Sequence, residues 1–392
     1  MIDSDSVAIF NYMDSKKYNN TKLVISVVKS LVSFILVYLF ISTGYSLALQ
    51  NYIMTLTDSV YIVFLLFVFS IGIFSSILFM PVNVYTGFYL EHKYKLSNQT
   101  FFKYIIENLK SMLVGLLIGV PILLLFFFVI NKFGDLWWLV FASLMFLISV
   151  VLSQLFPVLI LPIFYKIVPL DDEELKSRIR NLAVKVGIKV ENVFTFNMSK
   201  NTKKANAALT GLGKTKRIIL GDTLLSNYSK DEIETVLAHE LGHYKHKHLL
   251  KNILFGTASS FLTFFIISVL YKNSIHWFSF ISITQIAALP LLSLWAMIIG
   301  LIQSPIGNIL SRKYEYQADR YAIESTRKPK SFINTLEKLT DQNLGDREPH
   351  PFVEWFFYSH PSIKNRINAI NNFAKEKNIV EEINKKSVEA AI

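Results

Sequence analysis

Six apolar runs, near residues 31–49, 60–80, 112–131, 136–156, 252–271 and 282–303, limit what this chain can fold into, and none of them contains a charged residue. Each is about the 20 residues that a helix needs to cross a hydrocarbon core of roughly 30 Å. Backbone groups in lipid have to be satisfied within the segment itself, so such runs fold as helices. Composition agrees: of 392 residues, 52% are hydrophobic, 32 are Phe and only 18% are charged, outside the balance of a soluble chain. The first run ends in Ser46-Leu-Ala48 but is longer than the apolar region of a secretory leader, and it reads as an uncleaved anchor.

A net charge of +11 raises the question of a nucleic-acid partner, which the distribution of charge answers. The loops at 50–59, 132–135 and 272–281 hold only Lys132 and Lys272 as basic residues. The other side collects Lys16, Lys17, Lys22, Lys93, Lys95, Lys103 and Lys110, with the polar regions 157–251 and 304–392. This is the positive-inside pattern, which explains the basicity without any polynucleotide. It puts both termini and both polar regions in the cytoplasm, and it divides the chain into four spans (1–156), a polar region (157–251), two spans (252–303) and a C-terminal polar region (304–392). The chain has no Cys, which excludes disulfides, thiolate metal sites and a cysteine nucleophile.

Within the first polar region, 171–189 reads as an amphipathic helix with Leu175, Ile179, Leu182, Ala183 and Val186 on one face. Short β-prone runs follow at 191–197, 205–210 and 217–220, the last two separated by Gly211-Leu-Gly213. Ser229-Lys-Asp-Glu232 is a capping box that starts the next helix. That helix carries His239-Glu-Leu-Gly-His243. Positions i and i+4 share a helical face, so both imidazoles can reach one metal ion while Glu240 sits beside it. Zn²⁺ in such a site lowers the pKa of water to about 7, and Glu240 is placed to take the proton as the water attacks a carbonyl. His246 and His248 are rival third ligands. Glu315 and Asp319, again i and i+4 on a polar helix that continues the sixth span from Ser311, are better placed: one carboxylate can bind the metal while the other orients a ligating histidine. The C-terminal region reads as helices broken at 345–351 and at Pro361. Taken alone, His360 before that proline is either a structural helix-start residue or a catalytic one, and Asn206 reads as a strand-end residue.

His239-Glu-Leu-Gly-His243, Ser311-Arg-Lys-Tyr-Glu-Tyr-Gln-Ala-Asp319 and Tyr358-Ser-His-Pro361 together resemble the integral-membrane type I CAAX prenyl endopeptidases. Glu91-His-Lys93, Asn98-Gln-Thr100, Asn206-Ala-Ala-Leu-Thr-Gly211, Lys216-Arg-Ile-Ile-Leu220 and Asp222-Thr-Leu-Leu225 extend the likeness over roughly residues 60 to 375. The resemblance implies a mainly α fold: a polytopic helical barrel around a large chamber, closed by a small cytoplasmic α+β zinc-metalloprotease region of gluzincin type. It implies one Zn²⁺ per chain on His239, His243 and Glu315, Glu240 as general base, Asp319 behind the ligands, Asn206 on the substrate main chain, and His360 with Arg366 around the oxyanion and substrate. Well-known eukaryotic members have a seventh span and an acidic insertion before the zinc helix. This chain has neither and resembles a bacterial-type member of a cytoplasmic membrane. Its expected partners are membrane lipid and either a lipidated C-terminus or unmodified membrane-associated peptides, the second in the manner of a quality-control protease. A transporter or receptor with a structural zinc site is the rival from another class, but it calls for four protein ligands.

The charge asymmetry predicts the outcome of labelling single cysteines, since the chain has none of its own. In intact cells an impermeant thiol reagent is expected to label cysteines replacing Met54 and His276. Those replacing Lys95, Lys200 and Gly345 should react only after permeabilisation, and external labelling at position 200 would invert the topology.

Overall fold

The computed structural model describes residues 4–187, 193–210 and 217–379. Helix α1 (Ser4–Ser42) stops short of the end of the first apolar run, because Gly44 turns the chain with φ +81, and α2 (Tyr45–Met54) follows as a separate short helix. The first crossing is therefore Met13–Ser42 rather than 31–49. Residues beyond it are drawn sideways onto the turn Ile286–Ala288, where Ser46 Oγ donates to the Ala287 carbonyl and Gln50 Oε1 accepts from the Ala287 amide at 2.8 Å.

Helix α3 (Val60–Val84) passes through a π-helical turn, Tyr85–Tyr89, into α4 (Leu90–Lys93). Next come α5 (Phe101–Phe133), α6 (Trp137–Leu155), a second π-helical turn at Phe156–Ile160 and α7 (Leu161–Phe164). The apolar stretch Phe101–Phe164 folds back at Gly134 (φ +51), which brings Phe126 within 5.2 Å of Phe141 and makes two crossings of it.

The polar region starts with β1 (Ile167–Pro169) and α8 (Glu173–Lys185), which is capped by Asp172 and buries Leu175, Ile179, Leu182 and Ala183. Then come β2 (Val193–Phe196), β3 (Ala207–Thr210), β4 (Arg217–Gly221) and α9 (Asp222–Asn227). The sheet order is β1-β2-β4-β3, with β2 and β4 parallel and both outer pairings antiparallel. The three expected strands are there. Residues 191–192 and the Gly211-Leu-Gly213 turn lie outside the described residues. Strand β1 was not anticipated, being three residues long and ending in a proline, which only an edge strand tolerates.

Helix α10 (Lys230–Lys245) begins at the predicted capping box, with Ser229 N donating to Glu232 Oε2 at 2.8 Å. Helix α11 (His248–Ser274) re-enters the membrane, and α12 (Pro290–Thr326) returns from it. The sixth run starts its helix late, because 282–289 form the turn that receives α2. α12 then continues unbroken for 37 residues, about 55 Å, so one helix carries both the last crossing and the carboxylates Glu315 and Asp319. After it come α13 (Pro329–Gln342), α14 (Pro351–Phe357) and α15 (Ile363–Glu376), broken where the sequence indicated.

The long helices pack in a ring. Lys29 Nζ meets Asn83 Oδ1 (2.8 Å) between α1 and α3, and Phe64 stacks on Phe127 (4.3 Å) between α3 and α5. α5 pairs with α6, Phe141 meets Phe264 (5.4 Å) between α6 and α11, and Gln303 donates to Thr263 Oγ1 (2.7 Å) between α12 and α11, while α12 packs back on α1. One end of the ring is solid, where Ile41, Phe67, Ile130, Trp137, Tyr271 and Leu291 share a core. Away from it few side chains of these helices are fully covered: only 6% of the most apolar window of α1, and the same share of α11, is buried. A helix in a solid bundle buries its inward stripe, so these helices form a wall one helix thick around an open interior.

Candidate active site

At the open end of the ring α10 crosses α12 with almost no side chain between them. A Cβ placed on Gly242 would lie 2.9 Å from Ala318 Cα and 3.0 Å from Ala318 O. Gly242 lies between His239 and His243 on one helix, and Ala318 between Glu315 and Asp319 on the other. The contact therefore sets the two i, i+4 pairs face to face.

The Nε2 atoms of His239 and His243 are 3.1 Å apart, and each faces a Glu315 oxygen, at 3.5 and 3.4 Å. Four donors about 2.05 Å from a tetrahedral zinc would be spaced by roughly 3.3 Å, so the three donor groups fit such an ion. Glu315 Oε2 is buried without a hydrogen-bond partner, which a bound cation would supply. Asp319 Oδ1 lies 2.9 Å from His239 Nδ1, and Arg366 grips Asp319 in a bidentate fork (2.9 and 2.6 Å) while its third nitrogen reaches to 3.7 Å from Glu315 Oε2. Burial would lower the basicity of His239, but the nearby carboxylates of Asp319 and Glu315 outweigh it and lift its pKa to about 9. Burial acts on Arg366 in the same downward sense, and Asp319 reverses it, so its pKa is raised.

His360 Nε2 lies 3.5 Å from Glu315 Oε1, with its ring 64% exposed and Nδ1 held by Ser359 Oγ at 3.0 Å. Glu240 is half-buried on α10, and among the described residues no hydrogen bond or ion pair engages it. Asn206 is exposed at the head of β3, which among the described residues pairs with β4 alone and forms an edge of the sheet. Six of the eight site residues read from sequence, His239, His243, Glu315, Asp319, His360 and Arg366, therefore converge by direct contact. Arg366, expected around the oxyanion and substrate, lies half-buried against the carboxylates of Asp319 and Glu315. His246 and His248 do not join the donor cluster His239–His243–Glu315. Sequence reasoning missed the crossing at Gly242, since nothing local to that helix shows what faces it.

A ring of membrane helices carrying such a cluster defines a multi-pass membrane metalloprotease. The model of peptidase family M48 matches residues 169–374, and that of the CAAX prenyl protease N-terminal region, described as five membrane helices, matches residues 5–166. The chain belongs to peptidase family M48. It is 32% identical over 323 residues to CAAX prenyl protease 1 of Saccharomyces cerevisiae, covering 77% of this chain and 71% of the yeast protein. It is 29% identical over 357 residues to an uncharacterized metalloprotease of Bacillus subtilis, covering 90% and 84%. A crystal structure of S. mikatae Ste24p superposes with a TM-score of 0.83 at 29% identity, covering 92% of this chain and 89% of that one.

The close crossing has a testable consequence of definite sign. By helix propensity alone, Gly242→Ala would stabilise α10 by about 1 kcal/mol. We expect the added methyl to push α12 away, lowering the melting temperature and the metal content together. A more stable variant with full metal content would show that the helices do not need this approach.

Proposed function

We propose that this protein is a zinc-dependent endopeptidase of CAAX prenyl protease type, cutting the C-terminal segments of membrane-tethered proteins at the open end of the barrel. The observation that carries the reading is the set of three donors at tetrahedral spacing, with an unengaged carboxylate, Glu240, on the next position of the same helix. In this reading 1–156 and 252–303 form the barrel, 157–251 brings the zinc helix and the edge strand, and 304–392 brings the third ligand and the residues around the oxyanion. The lysine distribution favours a cytoplasmic site. Likeness over 90% of the chain to a Bacillus subtilis metalloprotease favours a bacterial cytoplasmic membrane.

A zinc ion held by His239, His243 and Glu315 would supply Lewis acidity toward water and the scissile carbonyl. Glu240 takes the proton of the attacking water and passes it to the leaving amine. Asp319, fixed by Arg366, holds His239 with its hydrogen on Nδ1 and so keeps Nε2 free to ligate. His360 donates to the oxygen on which negative charge develops. The substrate lies along the open edge of β3 as an added strand, its main chain held by Asn206.

Likeness to the bacterial relative also supports a second substrate reading, in which unmodified membrane-associated peptides are cut as in quality control, since bacteria generally do not prenylate such proteins. Comparing a farnesylated peptide with its unmodified twin decides between them: the first reading predicts preference for the farnesylated one, the second none. On whichever peptide is cut, Glu240→Gln should retain zinc and lose hydrolysis, and near wild-type turnover would remove Glu240 from its role. His360→Ala should keep zinc and lose about 10²- to 10³-fold in kcat. Asn206→Ala should raise KM more than it lowers kcat.

A further inference from the structure

His248 was a candidate ligand by spacing, and the fold gives it a different place. It is the first residue of α11, reached through Lys247 in the left-handed conformation (φ 55), and it is 2% exposed. Its ring lies flat on Tyr314, at 4.1 Å with 11° between planes. Its Nδ1 faces His243 Nδ1 at 3.0 Å, on the side of that ring away from Glu315, and its Nε2 faces Gln317 Oε1 at 2.8 Å.

We propose that His248, held by Gln317, is a positioning residue that fixes the tautomer of His243 and aims its Nε2 at the metal. The proposal rests on the reading of His239, His243 and Glu315 as the metal site. Two ring nitrogens face to face at 3.0 Å are attractive only if one carries a hydrogen and the other a lone pair. The Gln317 carbonyl accepts, so the hydrogen of His248 is on Nε2 and its lone pair is on Nδ1. His243 must then donate from Nδ1, which leaves the lone pair on the nitrogen facing Glu315. The opposite proton order along the chain would put a hydrogen on His243 Nε2 and block ligation. The Tyr314 stack fixes the plane in which His248 accepts.

The two histidine ligands are thus supported differently. Behind His239 stands the carboxylate of Asp319. Behind His243 stands a neutral imidazole and amide, which orient the ring without adding negative charge to a site already holding two carboxylates. A carboxylate supports a ligating histidine by orienting it and by raising its basicity, whereas this neutral pair supplies orientation alone.

The test is metal affinity, measured on the purified full-length protein by chelator competition for Zn²⁺ at fixed pH. His248→Phe keeps a flat ring against Tyr314 but offers no acceptor, and should weaken zinc binding by about 10- to 100-fold. His248→Asn places an amide oxygen close to the position of Nδ1 and should recover most of that loss. Gln317→Leu, which leaves the packing of His248 in place, should weaken binding by a smaller factor and keeps the test open if the phenylalanine variant does not fold. In the zinc-bound wild type, ¹⁵N spectra should show the His243 hydrogen on Nδ1. Wild-type zinc affinity in both His248→Phe and Gln317→Leu, or failure of His248→Asn to exceed His248→Phe, would overturn the inference and leave the metal site standing. Failure of the wild type itself to bind zinc, or binding that survives loss of Glu315, would instead overturn the reading on which it rests.

Discussion

The near-contact of two helix backbones at Gly242 and Ala318 organises the chemistry of this protein. Helix packing normally holds axes 8–10 Å apart, with the spacing set by the side chains between them. With a glycine facing an alanine, α10 and α12 approach closely enough for short, stiff side chains on either side of the contact to meet. His239 and His243 then need no long reach to Glu315, and Asp319 reaches His239 Nδ1 at 2.9 Å. Rigid helices thus hold the donors, which is how a site avoids being loose by the ångström that would cost most of its activity.

The same crossing ties the site to the membrane. α10 ends at Lys245 and α11 enters the membrane from His248, while α12 emerges from it and runs on to Thr326. Both halves of the donor set are therefore continuous, or nearly so, with wall helices of the ring. At the opposite end of α10, Lys328 bridges Asp231 and Glu234 at 2.8 Å each, and Arg178 adds a 2.6 Å contact to Asp231. Partly exposed pairs of this kind contribute little singly, but as a network they fix the start of α10 against α8 and α13.

Much of this was legible because its signals are local. Apolar length marks the spans, the Ser229–Glu232 box marks the start of α10, and the i, i+4 spacing of His239 and His243 requires only a helix to become a site. Other features depend on contacts that sequence does not display. Gly44 cuts an apolar run that hydropathy treats as continuous, because α2 finds hydrogen bonds on the 286–288 turn. His248 looks like a ligand by spacing, but the left-handed Lys247 rotates it onto the outer nitrogen of His243. The fork of Arg366 on Asp319 joins two helices far apart in the sequence. Each depends on what lies across the tertiary contact, and one chain carries no record of that.

The account centres on a single ion held by two imidazoles and one carboxylate, with the other histidines outside the shell. X-ray absorption at the zinc edge on the purified protein measures this directly. It should give one zinc per chain with two imidazole nitrogens and oxygen donors at about 2.0–2.2 Å, and no change in imidazole number when His360 or His248 is replaced. Three imidazoles in the shell, or a shell unaltered by removal of Glu315, would contradict it.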